Sequence, residues 1–268
     1  MRATSAERLP EEPAPTPAAV EVSAVSKAYG PAGTHVLALD RLSLQVSAGE
    51  FVCLVGASGC GKSTLLNLIA GLDRPSAGTI SVGGRRVGLL FQDAALFPWL
   101  TAAANINLAL RLRGVPKSER RDRTARFIDL VHLTGFADKR PHELSGGMRQ
   151  RVALARALAQ DADVLLMDEP FGALDAITRD LLHDELERVW QTAGVTIVFV
   201  THNVREAVRL GDRVLVLSSR PGRVVEEFQV DGSRPRHLED QDVAALASTI
   251  TDRLREEVRR HAITTSTG

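Results

Sequence analysis

The spacing of hydrophobic residues divides the chain into segments of different predicted structure. Val20–Val22 and Leu42–Val46 alternate apolar and polar positions, which predicts half-buried antiparallel strands near the N-terminus. Several later segments are continuous apolar runs, typical of parallel strands that are covered on both faces. These runs are Phe51–Val55, Val87–Phe91, Val164–Met167, Val195–Val200 and Val214–Leu217.

Segments with helical spacing lie between these runs, at Ser63–Gly71, Leu144–Gln160 and Thr178–Ala193. Strands that alternate with helices predict parallel βαβ units, and therefore an α/β fold whose central sheet is mostly parallel. The alternating strands before it predict a separate N-terminal antiparallel β-subdomain.

Other segments fall outside this alternation. Residues 1–19 are biased toward Pro, Ala and Glu, which predicts a disordered leader. The stretch at about 101–160 is helical and rich in charges, which predicts a helical subdomain inserted into the sheet-based core. The main domain is therefore expected over 20–220, and 221–268 is expected to form a short C-terminal extension with an amphipathic helix at about 242–260.

The charges of the chain balance, with 33 Lys and Arg residues against 33 Asp and Glu residues. No net field attracts nucleic acid or anionic lipid, and we expect no nucleic-acid partner. Cys53 and Cys60 lack the spacing of a zinc site or a disulfide framework. No apolar stretch approaches the roughly 18 residues that cross a bilayer, so we expect a cytosolic chain that reaches a membrane only through a partner.

The segment between the first apolar run and the helix after it has the spacing of a phosphate-binding P-loop. It reads Gly56-Ala57-Ser58-Gly59-Cys60-Gly61-Lys62-Ser63, followed by Thr64. Its glycines let backbone N–H groups turn toward phosphate oxygens, Lys62 can reach the β- and γ-phosphates, and Ser63 can coordinate Mg²⁺. A glycine-rich turn without a ligand is the alternative, and the strand before it and helix after it disfavour that alternative.

Two carboxylates, Asp168 and Glu169, follow the apolar run Val164–Met167. Ligands of open α/β sheets bind at the carboxyl ends of the strands. Asp168 can hold there the Mg²⁺ that Ser63 also binds, and Glu169 can polarise an attacking water. The alternative is a pair of solvated loop charges.

His202 and Gln92 also directly follow predicted strands. The imidazole of His202 can hydrogen-bond a γ-phosphate and the catalytic carboxylate, although a single histidine is more often structural. The neutral amide of Gln92 can bind Mg²⁺ or water, and a purely structural role is equally compatible with its position. Both residues are therefore candidates for the same site.

A second glycine-rich segment, Leu144–Arg151, opens a predicted helix far along the chain from the P-loop. A glycine pair preceded by Ser145 offers another helix N-terminus to an anion. Because the chain has one nucleotide-binding core and two such segments, we expect a second copy of the chain to complete the site.

With these residues assembled, the chain resembles the nucleotide-binding subunits of ATP-binding cassette (ABC) transporters over about residues 20–220. The matching motifs, in order, are Gly56–Thr64 as Walker A, Gln92 as Q-loop, Leu144–Met148 as family signature, Val164–Glu169 as Walker B, Gly172–Asp175 as D-loop and His202 as switch histidine. The signature is the most specific of these, because other P-loop enzymes lack it. The resemblance implies a P-loop NTPase core.

The resemblance also implies an ATPase that depends on Mg²⁺ and works as a head-to-tail dimer. The residues that it places on the γ-phosphate of ATP bound by the other copy are Ser145, Gly146 and Gly147. It makes Glu169 the general base, Asp168 a Mg²⁺ ligand and Asp175 an intersubunit contact. Tyr29 lies where the family places an aromatic residue that stacks on adenine, although a tyrosine on a strand is equally a packing residue.

Partners on other chains are implied as well: integral-membrane permease subunits at the cytoplasmic face of the cell membrane and, indirectly, an extracytoplasmic solute-binding protein. The Pro98-Trp99 pair after Gln92 looks like the nitrate, sulfonate and taurine importer group, and Ser219–Arg223 agrees with it. Within that group we expect an aliphatic sulfonate importer first, with nitrate or taurine as alternatives. Asn203 departs from the group, which usually has aspartate there.

Functions outside transport form the alternative class. Cassette ATPases of DNA repair, chromosome structure and translation usually carry two cassettes, a long coiled coil or a zinc insertion, and the sequence shows none of these. A noncatalytic nucleotide-sensing module would be expected to have lost Glu169 or His202, and both are present. The sequence therefore favours a transport ATPase.

Overall fold

The computed structural model describes residues 18–31 and 35–266, with side chains described as far as residue 260. The strands are β1 (Ala18–Tyr29), β2 (Val36–Ser47), β3 (Phe51–Val55), β4 (Ala77–Ser81), β5 (Val87–Leu90), β6 (Val164–Asp168), β7 (Thr196–Val200), β8 (Arg213–Leu217) and β9 (Val224–Gln229). The α-helices are α1 (Lys62–Ile69), α2 (Ala102–Leu112), α3 (Lys117–Leu130), α4 (Gly146–Leu158), α5 (Ala176–Ala193), α6 (Val204–Leu210) and α7 (Gln241–Ser266).

The central sheet has the strand order β5-β6-β7-β3-β8-β9. All neighbours pair in parallel except β9, which runs antiparallel to β8. Every residue of β3, β6 and β7 is buried, because helices and the second sheet cover these strands on both faces. The predicted α/β fold with a mostly parallel central sheet is confirmed, and the carboxyl ends of these strands meet at one edge.

The second sheet has the order β2-β1-β4, and both of its pairings are antiparallel. Its buried side chains, including Val20, Leu44 and Val46, share one hydrophobic core with α1 and one face of the central sheet. The predicted leader ended too late, because β1 begins at Ala18 and Ala19 is buried against this core. Residues 1–17 of that leader lie outside the described residues.

Helices α2, α3 and α4 pack on each other within the stretch that the sequence predicted as helical. The side chain of Thr101 accepts a hydrogen bond from the amide of Ala104 at 3.1 Å and so caps the start of α2. Among the residues described, no helix is both long and apolar enough to cross a bilayer.

The chain after residue 220 belongs to the main fold rather than to a separate extension. Strand β9 pairs with β8, and Val243, Ala247 and Ile250 of α7 are buried in the same core as the central sheet. The boundary expected at 220 therefore falls between two hydrogen-bonded strands. Strand β4 was also missed.

Candidate active site

The P-loop connects β3 to α1 and is shaped by glycines. Gly59 and Gly61 have φ of 76° and 102°, in the left-handed region that favours glycine. Because Gly61 precedes α1 and has no side chain to cap it, the first amides of the helix remain open to an anion. The ammonium group of Lys62 donates to the carbonyls of Gly56 at 2.8 Å and Ala57 at 3.0 Å.

A pocket of about 420 Å³ opens over this loop. Its lining residues are Tyr29, Val36, Ala38, Ser58, Gly59, Gly61, Lys62, Ser63, Thr64, Gln92, Glu169 and Arg220. Residues predicted from four separate segments therefore face one space. Larger cavities exist between α7 and His202 and within the helical subdomain, but neither is lined by Lys62.

Cys60 belongs to the P-loop but its side chain is turned away from the pocket. Its thiol is buried, and burial raises the pKa of the thiol above its ordinary value. A ligand in the pocket can therefore meet Cys60 only through the backbone.

Glu169 contacts two other residues that the sequence predicted as catalytic, Gln92 and His202. Its Oε2 accepts a hydrogen bond from Nε2 of Gln92 at 3.3 Å and lies 3.2 Å from Nδ1 of His202. The residue follows β6 with φ of 47°, a strained backbone for a residue with a side chain. The side chain of Glu169 is 21% exposed and that of His202 is 67% exposed, so both reach solvent at the edge of the sheet.

Asp168, the last residue of β6, is buried next to Ser63. Burial raises the pKa of its carboxyl, and the hydrogen bond with the Ser63 hydroxyl opposes this shift. A hydroxyl and a carboxylate side by side are oxygen donors of the kind that Mg²⁺ prefers.

The loop that carries His202 is anchored to a buried polar network. Nε2 of His183 on α5 lies 2.7 Å from Oε1 of Glu206 on α6, whose other carboxylate oxygen is hydrogen-bonded by the Thr201 hydroxyl. Asn203 caps α6 by accepting from the amides of residues 205 and 206. The asparagine that departs from the family pattern thus still performs a capping role.

The signature residues lie outside the pocket. Ser145 caps α4, where its Oγ accepts a hydrogen bond from the amide of Met148 at 3.2 Å. Ser145 and Gly146 are exposed. Asp175 similarly caps α5 by accepting from the amide of Thr178 at 2.9 Å, and this bond holds the pKa of Asp175 below its usual value.

Tyr29, at the end of β1, lines the pocket and is 44% exposed. Its hydroxyl donates to Oδ2 of Asp73 at 3.2 Å, and the ammonium of Lys27 lies 4.9 Å from the centre of its ring. These contacts orient the ring while leaving part of it open to a ligand.

Arg220 also lines the pocket, although from sequence it belonged only to the segment Ser219–Arg223 and not to the predicted site residues. Its Nε donates to the carbonyl of Gly59 at 3.2 Å. The two residues are 161 positions apart, so local sequence patterns carry no signal for this contact.

The parallel sheet, the glycine loop before α1 and the polar residues at the strand ends define a nucleoside-triphosphatase core of the P-loop class. The sequence profile described as ABC transporter matches residues 39–172. The chain belongs to the ABC transporter family, and its enzymatic class is that of the ABC ATPases.

Relatives of this family are similar over most of their length. A nitrate import ATP-binding protein, NrtD of Synechocystis sp., is 47% identical over 79% of this chain and 82% of that protein. A taurine import ATP-binding protein, TauB of Rhizobium johnstonii, is 47% identical over 85% of this chain and 89% of that protein. A solved structure of the ATP-binding cassette MJ0796, described as a dimeric post-hydrolysis state bound to ADP and Pi, is 34% identical with a TM-score of 0.74, covering 80% of this chain and all of that one.

Proposed function

We propose that the chain is the ATP-hydrolysing subunit of an importer for aliphatic sulfonates, nitrate or taurine, and that it binds MgATP in the P-loop pocket. One observation carries this proposal: Glu169 lies at the pocket of Lys62 and contacts both Gln92 and His202. A carboxylate at the end of a strand, next to a phosphate-binding loop, is placed to polarise a water for attack on the γ-phosphate.

The residues of the pocket have different roles in ATP hydrolysis. Lys62 exchanges its carbonyl partners Gly56 and Ala57 for the β- and γ-phosphates, and His202 keeps the carboxylate of Glu169 oriented. Ser63, Asp168 and Gln92 would hold Mg²⁺, which neutralises charge on the phosphate oxygens when bound. Tyr29 offers its open ring face to adenine.

A second copy of the chain completes each site in this proposal. Ser145, Gly146 and Gly147 lie outside the pocket of their own chain, and their exposed helix N-terminus suits a phosphate bound by another copy. Asp175 is proposed as a contact between the copies. The dimeric cassette structure that resembles this chain supports such an arrangement.

Permease subunits are the second proposed partner, with the chain held peripherally at the cytoplasmic face of the membrane and the solute-binding protein acting indirectly. An apolar groove of about 480 Å³ lies beside Gln92, lined by Phe91, Phe97 and Leu112 among others. Leu112 is 80% exposed and the neighbouring Trp99 is 68% exposed, which is typical of a surface that another protein covers.

The enzymatic part of the proposal is tested with Glu169→Gln. This change keeps the shape of the side chain but removes the base, so ATP turnover should fall by about 10²–10⁴-fold while ATP binding persists. Phosphate release measures turnover, and size-exclusion chromatography should show an ATP-dependent dimer. Unchanged ATP turnover in Glu169→Gln would contradict the assigned mechanism.

The solute is the finer part of the proposal. We place aliphatic sulfonates first, with nitrate and taurine as alternatives, on the Pro98-Trp99 pair and the Ser219–Arg223 segment and on relatives named for nitrate and taurine import. Deletion of the coding sequence should abolish growth on alkanesulfonates as the single sulfur source, with rescue by the intact chain. Normal growth on alkanesulfonates with failure on nitrate or taurine would overturn the first choice.

A further inference from the structure

The loop between β8 and β9, Ser218–Arg223, is hydrogen-bonded to β2 and packs against the P-loop. The amide of Gly222 donates to the carbonyl of Ala38 at 2.8 Å, and the carbonyl of Gly222 accepts from the amide of Asp40 at 3.1 Å. A β-carbon on Gly222 would lie 2.1 Å from the carbonyl oxygen of Cys60, so only glycine fits. The β8–β9 loop therefore has one fixed position relative to the P-loop.

Two arginines of this loop have different partners. Arg223 is paired with the carboxylate of Asp40, with Nε donating at 2.9 Å. Arg220 donates from Nε to the neutral carbonyl of Gly59, and among the described residues no carboxylate forms an ion pair with it. Its guanidinium is exposed at the pocket, and its two terminal amino groups form no hydrogen bond with any described residue.

The contact between Arg220 and the Gly59 carbonyl changes the electrostatic environment of an anion in the pocket. A peptide carbonyl beside a bound phosphate repels it, and a guanidinium hydrogen-bonded to that carbonyl offsets the repulsion. A guanidinium also stays charged throughout the working pH range and presents a planar fork that matches phosphate oxygens.

We propose that Arg220 is a second cationic ligand of the nucleotide phosphate chain, acting from the β8–β9 loop beside Lys62. The inference rests on the proposed ATP site in the P-loop pocket. Arg220 hydrogen-bonds the turn of the P-loop and lines the same pocket as Lys62, which places its charge on the phosphate-binding side of the proposed site.

The test measures dissociation constants of the purified chain for ATP, and for inorganic pyrophosphate as a competitor, at several salt concentrations. Arg220→Ala and Arg220→Gln are compared with wild type; the glutamine amide can still donate to the Gly59 carbonyl but carries no charge. Both variants should bind ATP and pyrophosphate about tenfold more weakly and show a shallower salt dependence, because a charged contact to phosphate is lost. Arg220→Lys should recover part of the affinity.

Arg223→Ala is the matched control, since it removes a guanidinium from the same loop that faces Asp40 instead of the pocket. It should stay within about twofold of wild type. Wild-type affinity in Arg220→Gln, or an equal loss in Arg223→Ala, would show that the loop only braces the P-loop and would overturn the proposal. Lys62→Ala distinguishes failure of the proposed ATP site from failure of the Arg220 proposal. If Lys62→Ala leaves the ATP affinity unchanged, the proposed ATP site itself is wrong. If Lys62→Ala lowers the ATP affinity and the Arg220 variants do not, only the role of Arg220 is refuted.

Discussion

The P-loop and the signature segment Leu144–Met148 both place glycines at the start of a helix, but their surroundings differ. A β-carbon on Gly61 of the P-loop would lie 2.6 Å from a side chain of β2. At α4, Ser145 caps the helix, and a β-carbon on Gly146 would meet only the side chain of Arg149 at 3.8 Å.

The difference shows how one kind of local structure serves two roles. The P-loop is enclosed by β2 and by the β8–β9 loop, so its shape is fixed within one chain. In the signature segment Gly146 has open space in front of it, where another chain can approach, whereas a β-carbon on Gly147 would lie 3.1 Å from the side chain of Leu174. The enclosed glycines of the P-loop are required for the folding of the site, and the open start of α4 at Gly146 is available for recognition.

Gly222→Ala should have the largest effect, because it breaks the enclosure of the P-loop. The added β-carbon forces the β8–β9 loop away from Cys60, which should lower the free energy of unfolding by about 1–3 kcal/mol and remove most ATP binding. Gly146→Ala, on the open side, should change the free energy of unfolding by no more than about 0.5 kcal/mol. Chemical denaturation measures both, and equal destabilisation by the two substitutions would contradict the comparison.

Substitutions of Ser145 test the role of the signature segment. Ser145→Ala loses the cap and should destabilise the chain by about 1 kcal/mol. Ser145→Asp keeps a capping oxygen but sets a negative charge against the phosphate of the other copy, so turnover should fall at least about a hundredfold. Comparing ATP binding by the monomer, which should be unchanged, with ATPase rates checks this. If Ser145→Asp hydrolyses ATP at the wild-type rate, the segment does not meet phosphate.

Asp168→Asn should have the smallest effect on the free chain. Burial raises the pKa of Asp168 in the folded state, so its ionised form destabilises the fold above that raised pKa. This cost disappears as pH falls below the unfolded value of 3.8. The asparagine variant should therefore melt a few degrees higher than wild type at pH 7, with a smaller difference toward pH 4, as thermal unfolding without nucleotide would show. A larger difference at the lower pH would contradict burial as the cause.

The central strands were predictable because their signal is strong. Strands β3, β6 and β7 are buried throughout and apolar except for Asp168 and Thr196, and the polar residues that follow β6 and β7 reach the site by topology alone. Strands β4 and β9 were missed because neither has a continuous apolar run or a clear alternation, and no residue of either strand is buried. Their pairing depends on tertiary neighbours rather than on their own sequence.

Within the site, the residues found from sequence were those that lie in a motif. Glu169 and His202 each follow an apolar run, so chain position was enough to bring them together. The contact of Arg220 with Gly59 joins two loops distant in sequence, and a turn signal in one loop says nothing about the other. Such contacts become visible only when the strands before both loops are placed in one sheet.

The antiparallel pairing of β9 with β8 also bears on the solubility of the protein. Strand β9 is an edge strand, and it covers the hydrogen-bonding groups of β8 with a segment that carries Glu226, Glu227 and Gln229. Truncation of the chain after Arg220 would remove this cover and expose β8, whose last four residues are buried and apolar, as a new edge. Exposed apolar edges pair with other chains, so the truncated protein should aggregate even though every predicted nucleotide-binding residue remains.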